Sequence, residues 1–270
     1  MTPTTAAAVV TEEAAPVLVS PGLANRSEQG AAFELKFPLS SAALEGIEDW
    51  AREHLTPDTH GIGGAYRILS VYHDTPHLDV FHRSEGFRNS KYRLRRYDDS
   101  TQLFLERKTR RGDQVRKRRI EIPHHELPLL ANPNLPDVWA GEWFHRRLQS
   151  RNLQPTCRVT YLRTAFFGRA GDGPVRLTID RELMGAPTTT WDVSPLRDGT
   201  PLLPDGGLLE LKFHIHVPPL FQDLIARLPG QLPRCSKYRR CVELSGLAAN
   251  LPPASLPFPT GGAQAASVTG

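Results

Sequence analysis

The sequence contains little that could cross-link the chain or cross a membrane. Its three cysteines, Cys157, Cys235 and Cys241, show no CxxC spacing, so they are expected to be small buried side chains in a reducing compartment. No run of about 18 apolar residues exists, as a transmembrane helix would need. The first 25 residues contain no lysine or arginine, so the positive start of a secretory signal is missing. These absences predict a cytoplasmic protein without an intrinsic membrane segment.

The sequence also lacks the short motifs of several large enzyme classes. It has no GxxxxGK[ST] phosphate loop, no HExxH zinc motif, no GxSxG nucleophile elbow and no kinase-type catalytic loop. The motif-based forms of phosphate-loop, metalloprotease, α/β-hydrolase and kinase chemistry are therefore excluded. Any phosphate chemistry must come from a different arrangement of side chains.

Positive charge is concentrated in one stretch, Arg88–Arg119. It holds thirteen of the 33 basic residues and four acidic ones, whereas the rest of the chain has 20 basic and 25 acidic residues. Period-2 alternation in KYRLRRY and LFLERK places Arg93 with Arg95, and Glu106 with Lys108, on shared strand faces. Part of the 116–119 run is expected to face solvent. The stretch predicts a folded basic sheet whose partner carries many phosphates.

Composition predicts three segments of the chain. Residues 1–25 and 251–270 are rich in Ala, Pro, Thr or Gly and are expected to be a disordered leader and tail, leaving one folded domain over 26–250. Further strands are predicted over 31–37, 63–75, 157–168, 174–183 and 206–217. Helices are predicted after a Ser40–Ser41 cap and over 141–153 and 218–228, and SKYRRCVEL (236–244) ends the domain without an assigned element.

The predicted strands share one design, an apolar face opposite a face carrying Arg, Lys or Glu. The near copies FELKF (33–37) and LELKF (209–213) show it twice, and the second places Glu210 and Lys212 on one face. The predicted fold is therefore α+β. It is an antiparallel closed β-barrel, a tunnel with a polar basic lumen, whose apolar outer faces pack under a few flanking helices.

The order of these motifs resembles that of a known family. FELKF, SVYHDT, KYRLRRY, FLERK, KRR, TYLRTAF, VRLTID, LELKF and SKYRR together look like the VTC (vacuolar transporter chaperone) domain, a family of the triphosphate tunnel metalloenzymes, over about residues 31–245. The resemblance implies a polyphosphate polymerase. Such an enzyme transfers the γ-phosphate of ATP to a growing polyphosphate chain inside a tunnel, using Mn²⁺ or Mg²⁺.

The resemblance also implies the site residues. The phosphate-binding catalytic residues would be Lys36, Arg93, Arg95, Lys108, Arg163, Arg176 and Lys237; the nucleotide-binding set would be Arg93, Arg95, Lys108 and Lys212; the metal ligand would be Glu210. The wider superfamily has an E-x-E-x-K motif at this point, and its first acidic residue is replaced here by Ala32. Fewer carboxylates imply a poorer multi-metal site, which favours transfer or binding over hydrolysis. The sequence shows neither the sensor domain nor the membrane helices of eukaryotic VTC proteins, so product translocation would need a membrane-protein partner.

Other functions stay open from the residues alone. A tunnel-type inorganic triphosphatase or nucleotide phosphatase would use the same cations to release orthophosphate. A non-catalytic module would bind polyphosphate or inositol phosphates without turnover. The sequence predicts no nucleic-acid partner, because the remainder of the chain is mildly acidic and does not offer a broad positive surface for a phosphate backbone.

Overall fold

The structure is a computed structural model that describes part of the chain. It describes residues 28–249 apart from 62, 112–113, 136–137, 172, 197 and 229–234, and the side chains of 28–32 are also not described. The predicted leader (1–25) and tail (251–270) lie outside the described residues. The domain boundaries drawn from composition therefore stay predictions.

Ten described strands form one antiparallel sheet. They are β1 (Glu28–Ser40), β2 (Thr56–Pro57), β3 (Ala65–Asp74), β4 (Ser90–Tyr97), β5 (Gln102–Arg111), β6 (Gln114–Pro123), β7 (Gln154–Ala170), β8 (Gly173–Pro187), β9 (Thr200–Pro201) and β10 (Gly206–Phe213). Their order is β2-β7-β3-β4-β5-β6-β1-β10-β8-β9, and β7 also pairs with β8. The additional β7–β8 pairing shows that the sheet is strongly curled, and its closure into a complete barrel stays a prediction.

Five described α-helices flank the sheet. They are α1 (Ser41–His54), α2 (Asp79–His82), α3 (Glu142–Ser150), α4 (Pro219–Ala226) and α5 (Lys237–Leu244), and a 3₁₀ segment covers His124–Ala131. α1 begins at its predicted cap, since Ser40 Oγ accepts a hydrogen bond from the Ala43 amide. The sequence predicts α1, α3 and α4 but assigns neither α2 nor α5, and none of the described helices is long and apolar enough to cross a membrane.

The apolar faces of the strands pack outward against these helices. One hydrophobic cluster includes Phe144 of α3 and Tyr238 of α5, and a second includes Leu44 of α1 and Phe221 of α4. Each of these four side chains is nearly inaccessible to solvent. Burial of apolar surface on one side of a curled sheet leaves the other side to its charged residues. The antiparallel α+β class with a few flanking helices is confirmed.

The two near-identical motifs are neighbours in the sheet. β1 and β10 pair in antiparallel register with Leu35 opposite Leu211. This register puts Glu34 opposite Lys212 and Lys36 opposite Glu210. Opposite charges directly across an antiparallel pair stabilise it. The repeated E-x-K pattern is therefore a reciprocal pair of charge contacts, which the sequence alone does not show.

Candidate functional site

The charged faces of the strands converge on the concave side of the sheet. Lys108 of β5 donates a hydrogen bond to Glu34 of β1, although β6 lies between these strands. Arg95 of β4 likewise donates to the Tyr161 hydroxyl of β7 at 2.9 Å, across β3. Contacts that pass over an intervening strand require strong curvature. We call this side of the sheet the concave face.

The concave face carries more cations than carboxylates. Among the described residues, its cations are Lys36, Lys91, Arg93, Arg95, Lys108, Lys117, Arg119, Arg163, Arg176, Lys212 and Lys237, and its principal carboxylates are Glu34, Glu106, Asp180 and Glu210. Every site residue predicted from the sequence lies here. They share one face of the sheet, and their assignment as site residues stays a prediction.

Glu106 is the centre of one cation cluster. Its carboxylate is 1% exposed and lies 2.5 Å from Arg93, 2.6 Å from Lys117, 3.6 Å from Arg119 and 4.0 Å from Arg95. Burial alone would raise the pKa of Glu106, but these four cations hold it well below its usual value. One buried carboxylate therefore holds four positive groups together.

Glu210 and Asp180 form the centre of a second cluster. Arg163 binds Asp180 through two hydrogen bonds of 2.5 and 2.7 Å and also donates to Glu210 at 3.2 Å. Lys237 lies 2.5 Å from Asp180 and donates to Glu210 at 2.9 Å, and Lys36 donates to the same Glu210 oxygen. Despite burial, which would lower it, the two carboxylates raise the pKa of Lys237 above its usual value. Against the effect of burial, the cations also lower the pKa of Glu210 and of Asp180, and the carboxylates raise the pKa of Arg163 and of Lys36. All five side chains are therefore charged.

Glu34 connects a third set of cations to the second. Besides Lys108, it lies 3.6 Å from Lys36 and 3.7 Å from Lys212. Burial would raise the pKa of Glu34, yet Lys36 and Lys108 hold it well below its usual value. The contacts from Lys237 through Glu210, Lys36 and Glu34 to Lys108 make one continuous row of alternating charges along the concave face.

Several lysines on this face lose basicity. Burial, together with Lys108 and Lys36, lowers the pKa of Lys91 to about 7. Burial also lowers the pKa of Lys212 to about 7 and that of Lys117 to about 8, although Glu34 and Glu106 partly oppose these shifts. A crowded, buried set of cations with few carboxylates favours loss of protons until an anion binds. The concave face therefore lacks the negative charge that would keep all of its lysines protonated, and an anionic ligand would supply that charge.

Sequence reasoning missed two cations and one helix of this site. Lys117 and Arg119 were expected to belong to a run that faces solvent in part, but both contact Glu106. The β5–β6 register decides which face of the sheet these two side chains occupy, because it places Glu106 opposite Arg119 and Lys108 opposite Lys117. The Nε and Nη2 groups of Arg119 are buried and donate no hydrogen bond among the described residues, so their hydrogen-bonding capacity is unused.

Lys237 reaches the concave face from a helix rather than from a strand. Ser236 caps α5, accepting from the Arg239 amide at 3.4 Å and from Lys91 Nζ at 2.7 Å. This cap fixes Lys237 in the first turn, where its side chain is 5% exposed. A serine followed by the helical spacing of Tyr238, Cys241 and Val242 was the available sequence signal.

Comparison with known proteins gives a family and a fold. The sequence model of the VTC domain family matches residues 31–245, and no curated protein matches. A candidate adenylate cyclase from Bacillus halodurans has a similar structure, with a TM-score of 0.51 and 14% identity over 79% of this chain and 98% of that one. This likeness shows a shared fold.

Two further structures are similar at lower scores. A candidate adenylyl cyclase from Hippeastrum, described as having a dominant triphosphatase activity, gives a TM-score of 0.47 and 14% identity over 80% of this chain and 96% of that one. A protein from Pyrococcus horikoshii gives 0.46 and 16% over 79% of this chain and 99% of that one.

Proposed function

The chain belongs to the VTC domain family, and on that premise we propose that it is an ATP-dependent polyphosphate polymerase. It would transfer the γ-phosphate of ATP to the end of a growing polyphosphate chain. The observation that carries the proposal is the excess of cations over carboxylates on the concave face, which a polyanionic ligand would balance. The family assignment supports the coarser statement, a function on triphosphate-type substrates.

The proposal includes closure of the sheet into a tunnel. One edge of β7 pairs with β3 and the other with β8, while β1 pairs with both β10 and β6, which supports a continuous circuit of strands. The β1–β6 contact is the shortest of these, with three residue pairs and a register shift. A tunnel would keep water from the phosphates and strengthen each charge contact.

The chemistry we assign to the chain's own residues is positioning and charge neutralisation. Arg93, Arg95 and Arg163 present planar guanidinium groups, which bind phosphate oxygens through two parallel hydrogen bonds. Lys36 and Lys108 add mobile point charges beside them. In phosphoryl transfer, alignment of donor and acceptor and neutralisation of equatorial oxygens supply most of the catalysis. A nucleophilic side chain is not required.

The residues present fit a divalent ion held largely by the substrate. No group of three or more His, Cys, Asp or Glu among the described residues could hold a metal by itself. Glu210 and Glu34 place carboxylates on either side of Lys36, and Mg²⁺ is commonly bound by one or two carboxylates plus substrate phosphates. When bound, Mn²⁺ or Mg²⁺ would neutralise charge on the transferred phosphoryl group.

Turnover of ATP tests the proposed function. We expect purified protein with ATP and Mn²⁺ to release ADP and to form chains that separate as a ladder on a polyacrylamide gel. Orthophosphate release without a ladder would instead identify a tunnel-type phosphatase. Tight binding of polyphosphate with ATP unchanged would identify a binding module. Either result would contradict the polymerase assignment.

Replacement of Glu210 by glutamine tests its metal role. We expect the Mn²⁺ concentration for half-maximal activity to rise by about tenfold, because one carboxylate ligand becomes a neutral amide. Asp180 provides a comparison within the same cluster. If Asp180→Asn shifts the metal dependence as much as Glu210→Gln does, the effect comes from the charge of the cluster and not from a ligand.

The affinity for inorganic triphosphate should fall as pH rises. Lys212 and Lys91 have pKa values of about 7, so they are largely neutral above that pH and must take up protons when phosphate binds. We expect Kd to increase by at least about tenfold between pH 7 and 8.5, with proton uptake seen by calorimetry in two buffers. Lys212→Arg stays charged and should flatten this dependence. An unchanged slope in that variant would contradict the argument.

A further inference from the structure

One edge of the concave face differs from the rest in chemistry. Asp58, His60, Tyr66, Phe167 and Arg176 lie together there, and we call them the Asp58 rim. The Arg176 guanidinium packs over the Phe167 ring at 4.8 Å and donates to the Tyr66 hydroxyl at 3.0 Å. The side chain of Arg176 is 31% exposed, against 6% for Arg163 deeper in the face. Arg176 and His60, whose side chain is 40% exposed, are therefore the parts of the rim that an incoming ligand can reach.

The rim contains a carboxylate with a single Lys or Arg contact among the described residues, whereas each carboxylate deeper in the concave face contacts two or more such cations. Asp58 accepts hydrogen bonds from the His60 amide at 3.2 Å and from its ring Nδ1 at 2.6 Å, and its second oxygen lies 4.0 Å from Arg176. The backbone fixes this position, because the Asp58 amide donates to the Ala165 carbonyl at 2.8 Å. A carboxylate at this edge repels phosphate oxygens but can accept hydrogen bonds from an amine or a hydroxyl.

The rim is adjacent to the cationic row. Arg176 lies directly opposite Lys212 in the β8–β10 register, and Lys212 is 3.7 Å from Glu34. A ligand lying across the edge would therefore meet aromatic rings and a carboxylate first, and ammonium and guanidinium groups next. A nucleoside triphosphate has the same order of chemistry, a flat base, a ribose with hydroxyls, and then a run of phosphates.

We propose that the Asp58 rim binds the nucleoside of a nucleoside triphosphate, with the base against Phe167 and Arg176 and its phosphates directed toward Lys212. This inference rests on the proposed function, since it assigns the orientation of that substrate. Asp58 and His60 recognise amine or hydroxyl groups of the nucleoside. Inorganic triphosphate, which lacks a nucleoside, gains nothing from the rim.

Binding of two ligands to matched variants tests the inference. Isothermal titration would compare a non-hydrolysable ATP analogue with inorganic triphosphate, using wild type, Phe167→Leu, Asp58→Asn and the surface control Glu45→Gln. We expect Phe167→Leu to raise Kd for the ATP analogue by about tenfold, the typical loss for one base–aromatic stack, and to change Kd for triphosphate less than about twofold. Glu45 is exposed on α1, and its replacement should alter neither.

Asp58→Asn gives an independent test, because it is expected to change the affinities for the two ligands in different ways. It removes a negative charge, so binding of inorganic triphosphate should stay equal or become tighter, while binding of the ATP analogue weakens. Parallel loss of both ligands in Phe167→Leu and Asp58→Asn would overturn the nucleoside placement and leave the proposed function standing. If wild-type protein binds neither ligand, the proposed function and this inference fail together.

Discussion

Replacing Arg93 with alanine is expected to lower ATP turnover by about 10³-fold and to leave the protein folded. Its guanidinium faces the concave side, where one preorganised cationic donor to a transferring phosphoryl group contributes on this order. The fold should survive because Glu106 keeps Arg95, Lys117 and Arg119 as partners. Removing one of four mutually repelling cations leaves no uncompensated carboxylate.

Lys108→Ala and Arg116→Ala complete this test. Lys108 has a partner in Glu34, which retains Lys36 and Lys212, so Lys108→Ala should also lose activity while staying folded. Arg116 belongs to the same basic stretch but is exposed and lies opposite Thr109, so its removal should keep activity near that of wild type. Steady-state rates of ADP release and thermal unfolding curves measure both properties. A large drop in the unfolding temperature of both Arg93→Ala and Lys108→Ala would contradict the argument.

Alternation along single strands predicted much of the site. The shared faces of Arg93 with Arg95 and of Glu210 with Lys212 follow from the period of two, and the apolar faces opposite them pack outward as expected. The apolar faces pack under the helices on the outside of the curled sheet, so the charged faces lie on its inside. These features depend only on local geometry, which is why a sequence suffices for them.

The ion pairs that form between different strands could not be predicted from the sequence in the same way. That Glu106 holds Lys117 and Arg119 depends on the β5–β6 register, which the alternation within a single strand does not specify. The contact of Lys237 with Asp180 depends on the docking of α5, a tertiary contact between distant segments. The sequence therefore does not show that the carboxylates are the centres of three cation clusters.

Replacing Glu106 with glutamine is expected to destabilise the ligand-free protein by about 3 kcal/mol or more. The carboxylate is 1% exposed and its four cationic neighbours would lose their common counter-charge, and breaking buried pairs of this kind typically costs about 3–5 kcal/mol. The pKa of Glu106 is held well below its usual value, so the carboxylate is ionised throughout the neutral range and its loss is fully felt there.

Inorganic triphosphate should restore most of this loss, which separates a charge effect from a packing defect. A phosphate group can take the place of the missing carboxylate among Arg93, Arg95, Lys117 and Arg119, and a ligand that binds only the folded state stabilises it in proportion to the logarithm of its concentration over Kd. Urea unfolding with and without triphosphate would measure both terms, with Glu45→Gln as the matched control. If Glu106→Gln is as stable as wild type without ligand, the central role of this carboxylate is wrong. If triphosphate stabilises Glu106→Gln no more than wild type, the cluster does not face the phosphate site.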